Sequence, residues 1–343
     1  MESQNSALGE VQYSLIQLET TDADDHAAKL SRWDQIYDQL TPGLFAGSVR
    51  EAWFGCLQLF RETTSESVYQ AGRAWQGSST FGVPLVMEGD AFFRRSMLRR
   101  GDALVLAGGD EMDFRTPRQL DIVAVTLDQS ALFEYADKVE HRVIDRTEFV
   151  GTRVLAGPRR VDAFGQFLRT ALESVFATPG LLLYPQLQKA LEEAILSSVV
   201  SLIGNDDDAQ ERAPSCASRC DVVRRAKEYL HLHVDESLTI ADLCRELKVS
   251  RRTLQYSFQD VLDLNPVAYI RAMRLNGVRR ELKVADPRHD TVQDVAARWG
   301  FWHLSHFCTN YRRMFGELPS VTLRYRTNSP ADESRERRVA GII

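Results

Sequence analysis

The chain has 343 residues, 44% apolar and 26% charged, with five cysteines and a formal net charge of −6. That length and balance fit two folded domains, each with its own core, and exclude a disulfide-stapled miniprotein or a low-complexity polymer. No apolar run approaches the roughly 18 to 20 residues that span a bilayer.

The N-terminus, MESQNSALGEVQ, carries neither a basic stretch nor an apolar one, so no secretory signal is expected. The first twenty-odd residues are polar and predict little order. Between about 43 and 128 the pattern is strand-like. Short apolar stretches (Val68-Tyr69, Thr80 to Pro84, Ala103 to Ala107, Ile122 to Leu127) are broken by turn signals such as Glu88-Gly89-Asp90 and Gly108-Gly109-Asp110. Many short strands predict an antiparallel barrel or jelly roll. From Leu132 the period becomes helical. Val161 to Phe176 and Tyr184 to Ile203 read as two long amphipathic helices, suited to covering the barrel or pairing with a second subunit. The stretch 204–219, GNDDDAQERAPSCASR, reads as a linker, and the pair Cys216 and Cys220 at its end lacks the second pair that a metal site needs. Helical patterns then fill 220–327, and a loose tail is expected over 328–343.

The net charge conceals an asymmetry. Residues 1–218 hold 20 Lys and Arg against 32 Asp and Glu, whereas residues 219–327 hold 19 against 13. Only the second part has the sign that attracts phosphate. That same part contains a repeat. Thr239 to Phe258, TIADLCRELKVSRRTLQYSF, and Thr291 to Tyr311, TVQDVAARWGFWHLSHFCTNY, match at an offset of 52 up to Leu247 and Trp299. Beyond the turn the offset is 53, pairing Ser250 with His303, Leu254 with Phe307 and Phe258 with Tyr311. A duplicated helix–turn–helix with a longer second turn explains both offsets, and two such units read two stretches of major groove.

Each unit opens on a Thr with an Asp three residues on, close to a capping box. In the helix after the first turn, Leu254, Phe258 and Val261 share one face and Arg251, Arg252, Gln255, Tyr256 and Gln259 the other. Arg can grip guanine through two hydrogen bonds, and Gln adenine. The second copy sets Leu304, Ser305, Cys308 and Thr309 outward, followed by Arg312 and Arg313. The expected base contacts are Arg252, Gln255 and Tyr256, with Ser305 and Thr309 weaker; Arg251, Arg312 and Arg313 suit phosphate. A helix from Pro266 to Lys283, with Arg271, Arg274, Arg279 and Arg280, joins the units.

VSRRTLQYSFQ, NPVAYIRAMRLNGVRREL and DVAARWGFWHLSHFCTNYRRMFGELPS together resemble the DNA-binding domain of the AraC/XylS family of transcription regulators. RRTLQ, IRAMRLNGVRREL, WGFWHLSHF and the N-terminal WDQIYDQLTPGLFAG are similar to the regulators of ethanolamine-utilisation operons within it. The resemblance implies an α+β chain. A cupin-like β-barrel with following helices over 1–203 would sense an effector and dimerise, and an all-α unit over 220–327 would bind DNA. It also implies a homodimer that activates a catabolic operon with RNA polymerase; the five scattered cysteines, an odd number, place it in a reducing cytoplasm. The implied effectors are ethanolamine and adenosylcobalamin. The effector pocket is not legible: Trp53, Phe54, Trp75, Phe81, Phe92 and Phe93 are candidates for lining it or for plain core, and Glu88, Asp90 and Glu111 are carboxylates available to an amine.

An enzyme in the barrel is excluded on composition. Residues 1–218 hold only His26 and His141, too few for a cupin metal set, and no Gly-x-Ser-x-Gly, Walker or Rossmann loop occurs. The remaining alternative is a DNA-binding regulator without a small-molecule effector, controlled by a protein partner or by its abundance.

Overall fold

The computed structural model describes residues 13–94, 96–142, 144, 153–203, 210–211, 217–233 and 238–328. Most of the expected linker, Cys216 and residues 329–343 of the expected tail lie outside the described residues.

The N-terminal part opens with β1 (Tyr13–Thr20), a short α1 (Ala23–Ala27) and β2 (Asp34–Gln39). Order therefore begins earlier than the polar composition predicts, because β1 pairs along its whole length with β3 (Gly47–Phe54). There follow β4 (Leu57–Thr64), β5 (Val68–Arg73), β6 (Ser78–Glu88), β7 (Ala91–Phe93), β8 (Ser96–Leu98), β9 (Asp102–Ala107), β10 (Met112–Arg115) and β11 (Arg118–Asp128). The four apolar stretches read from the sequence fall in β5, β6, β9 and β11. Gly89 and Gly109 stand at φ +101° and +85°, a region that favours glycine and lets the chain turn between strands.

Two antiparallel sheets result. The larger has the order β1-β3-β4-β11-β6-β9-β12-β13, closing with β12 (Arg153–Ala156) and β13 (Gln210–Glu211). The smaller runs β2-β5-β10-β7-β8. No ladder joins the two among the described residues, so the expected cupin-like barrel is not closed. The reason is visible in β11. Its residues alternate, Val123, Val125 and Leu127 toward a helical layer and Leu120 and Ile122 toward the second sheet, so both faces are buried without curling the sheet shut.

The helical layer comprises α2 (Gln129–Lys138), α3 (Pro158–Ala177) and α4 (Pro185–Ile203). Leu168, Leu172 and Val175 of α3 and Ile195 and Val199 of α4 share a core with Phe54, Leu59, Phe81 and Val125. Each such side chain contributes roughly 1.5–3 kcal/mol by leaving water. Of the aromatic candidates for an effector pocket, Phe54 and Phe81 lie in this core and Phe93 lies between the sheets. Phe92 packs instead with the helical C-terminal part.

That part holds α5 (Ala217–Leu232), α6 (Ile240–Leu247), α7 (Arg251–Leu262), α8 (Pro266–Val284), α9 (Val292–Arg298), α10 (Leu304–Phe315) and α11 (Pro319–Asn328). It has two cores, one under α5–α7 and one under α9–α11, and α8 serves both: Tyr269, Ile270 and Met273 face the first, Leu275, Val278 and Leu282 the second. None of the described helices is long and apolar enough to cross a membrane.

Candidate nucleic-acid interface

In the first unit the Thr239 side chain accepts from the Asp242 amide at 3.2 Å, and the Asp242 carboxylate accepts from the Thr239 amide at 3.0 Å. The capping box is complete. Lys248, at φ 55°, turns the chain, and Ser250 caps α7 by accepting from Thr253 N at 3.0 Å. Leu254 and Phe258 are buried, with the Phe258 ring edge-on to Tyr269 at 5.4 Å. The core positions on one face fix what the other face presents. Arg251, Arg252, Gln255, Tyr256 and Gln259 are all exposed on α7. The Arg252 guanidinium lies 5.3 Å from the Tyr256 ring centroid, and Tyr256 is 51% exposed despite its size. Gln259 donates to Asp263 at 2.9 Å, leaving Arg252 and Gln255 as the polar groups best placed to reach outward.

The second unit repeats the cap, Thr291 accepting from Asp294 N at 3.1 Å. Its turn runs through Trp299 and Gly300, the latter at φ +77°. Phe307 and Tyr311 are buried as the repeat predicts, while Ser305, Thr309, Arg312 and Arg313 are exposed. Thr309 spends its hydroxyl proton on Ser305 O at 3.0 Å. Cys308, expected outward, is half-buried against the second core. His303 makes no side-chain cap on α10. Among the described residues no side-chain hydrogen bond or ion pair engages Arg251, Arg312 or Arg313, so their charges remain open to solvent or phosphate.

The sequence pattern does not single out Trp302, which is 74% exposed on the second turn. Under the offset of 53 its counterpart is Val249, which is half-buried against the first core.

Two of the α8 arginines are engaged within the protein. Arg279 pairs with Asp22 and, at 2.8 Å, with Glu317. Arg280 meets Asp38 at 2.8 Å, and Lys283 meets Asp22 at 2.5 Å and Asp25 at 2.8 Å. Burial alone would raise the Asp22 carboxyl, but the Arg279 and Lys283 charges outweigh it and hold the group near 2, below its usual 3.8. Between these pairs Asn276, buried on α8, accepts from Gln39 N at 3.1 Å and donates to Gln39 O at 2.9 Å. The Gln39 side chain donates to Met314 O at 2.9 Å, as does the Gly43 amide at 3.1 Å. β2 and α1 thus grip the linking helix and the end of α10.

A second contact holds the first unit. Lys227 on α5 is 7% exposed; it donates to Tyr69 of β5 and lies 3.2 Å from Asp113 of β10. Burial pushes its ammonium below the usual lysine range, and Asp113 opposes that shift. Beside it lies a cleft of about 510 Å³ between the smaller sheet and α5, edged by Arg94, Glu111, Arg224 and His231. Of the three candidate carboxylates, Glu111 borders this cleft.

A family profile described as a helix-turn-helix domain matches residues 243–325. The chain is 34% identical over 144 residues to a probable thc operon regulatory protein of Rhodococcus erythropolis, a match spanning 43% of that relative's length. It is 23% identical to a XylDLEGF operon transcriptional activator of Pseudomonas putida, over 81% of this chain and 85% of that one. Among solved structures, a probable AraC family transcriptional regulator from Rhodopseudomonas palustris is 34% identical, with 31% of this chain and 96% of that one covered at a TM-score of 0.29. These relatives regulate transcription and are not enzymes, and residues 243–325 of this chain carry a helix-turn-helix domain similar to that of AraC/XylS-type transcription regulators.

Proposed function

We propose that the chain is a one-component cytoplasmic activator of a catabolic operon. Residues 1–203 sense an effector and dimerise, 204–219 link, 220–327 bind DNA and 328–343 form a tail. Arg252, Gln255 and Tyr256 read bases in one major-groove segment, and Ser305 and Thr309 read less sharply in the next. Arg251, Arg312 and Arg313 hold phosphates. RNA polymerase is the partner through which activation acts. Exposed Tyr184, just before α4, and Leu187 in its first turn support a homodimer.

The observation that carries regulation is the double grip on the DNA-binding part, at α5 through Lys227 and at α8 through Asp22, Asp38 and Gln39. A small molecule that alters either contact changes how the two readers are held. The cleft beside Lys227 offers such a place. Ethanolamine with adenosylcobalamin is the effector pair implied by the sequence likeness. A footprint on the chain's own upstream region, with and without that pair, tests the reading. Protection of two adjacent major-groove segments, changed in extent or affinity by the pair, is the expected result. Protection indifferent to every metabolite tried favours control by abundance or by a protein partner.

A further inference from the structure

We propose that Trp302 is a base-reading residue, and that the second helix–turn–helix recognises thymine through its C5-methyl group. This rests on the DNA-binding reading. The turn before α10 separates two neighbouring aromatics. The Phe301 amide donates to Ala296 O at 2.9 Å and its ring meets Phe307 at 5.0 Å, which ties it to the core. Gly300, at φ +77°, turns the chain just before it. Trp302 then points away from the protein, 74% exposed, with Leu304 beside it at 40%.

Trp is a residue type enriched at contacts, and an indole 74% exposed at the head of a recognition helix is placed to make one. DNA is the occupant that fits. The residues that open a recognition helix are the ones that reach base edges, and Trp302 lies two residues before α10. Ser305, Thr309 and Arg312 follow at steps of three and four, continuing one stripe down the helix, and its far end carries the open charges of Arg312 and Arg313. The exposed side chains at the start of α10 offer apolar surface, a hydroxyl and the imidazoles of His303 and His306, but no two-pronged donor such as Arg252. The thymine methyl is the one apolar group on the major-groove floor. The first unit reads with polar groups and keeps the equivalent Val249 against its core; the second reads with an apolar one.

The test uses the full chain and a duplex enriched by it from random sequence. Each dT of that duplex is replaced in turn by dU, which removes only the methyl. At one or two positions the replacement should weaken wild-type binding about fourfold per methyl. Trp302→Ala should bind on the order of tenfold more weakly and be indifferent at those positions, with Trp302→Phe intermediate. The proposal is overturned if Trp302→Ala binds like the wild type, including the case where it binds normally but fails to activate transcription, which would assign the indole to a protein partner. It is also overturned if the variant keeps the full dU penalty. If no sequence is enriched at all, the DNA-binding reading itself fails first.

Discussion

Arg252 and Arg312 are both exposed arginines on recognition helices, yet their surroundings predict different losses. Arg252 stands beside Tyr256 at the start of α7, the end of a recognition helix that in general reaches base edges. Arg252→Ala should cost about 1–3 kcal/mol of binding to the preferred site and relax selectivity at one base, measured by competition between single-base variants of the site. Arg312 lies in the last turn of α10. Arg312→Ala should weaken all sequences alike and reduce the slope of log affinity against log salt by about 1. Unchanged selectivity in Arg252→Ala would remove it from the base contacts. At this scale the sequence is informative because helix periodicity is local. The burial of Leu254, Phe258 and Phe307 decides the opposite face within a turn or two. Trp302 escaped that logic because it lies on a turn, where periodicity says nothing about direction.

At the scale of elements, the helices and their caps were legible and the closure of the sheets was not. Thr239 and Asp242, or Pro266 and Asn265, act within one turn, so residue type alone announces the helix start. Which strand pairs with which depends on partners tens of residues away, and β2 joining β5 rather than β3 has no local signature. One element-level constraint is sharp. A Cβ on Gly277 of α8 would stand 2.1 Å from the Trp299 ring, whose Nε1 donates to Glu281 at 2.6 Å. Gly277→Ala should therefore push α8 and the α9–α10 turn apart and cost about 1–3 kcal/mol of stability, read from the denaturant midpoint of the full chain. Thr239→Ala, which opens the first capping box, should cost about 1 kcal/mol in the same assay.

For the whole molecule, the decisive charges lie far apart in sequence. Asp22 and Asp38 meet Arg279, Arg280 and Lys283 across more than two hundred positions, a relation that composition cannot announce. The charge asymmetry read as a phosphate-binding half is thus partly consumed inside the protein. The Asp22 carboxyl, held near 2 against its usual 3.8, is more acidic folded than unfolded. Its stabilising contribution is fully present above about pH 4 and is lost as pH falls through 2, a difference of roughly 2 kcal/mol. Asp22→Asn should remove that acid-limb dependence and raise amide exchange in α1 and the facing turns of α8. An unchanged acid limb would show that the pairs contribute nothing net.

Asn276 has a further consequence. β2 is an edge of the smaller sheet, and the Asn276 carboxamide meets Gln39 as a neighbouring strand would, accepting from its N–H and donating to its C=O. α8 therefore covers the Gln39 end of a strand edge, the kind of edge that seeds intermolecular pairing. Residues 1–203 produced alone would uncover it. They should self-associate with rising concentration in light scattering, while the full chain does not, and a charged residue placed on β2 should suppress the effect. The two parts of the chain should then depend on each other for staying in solution.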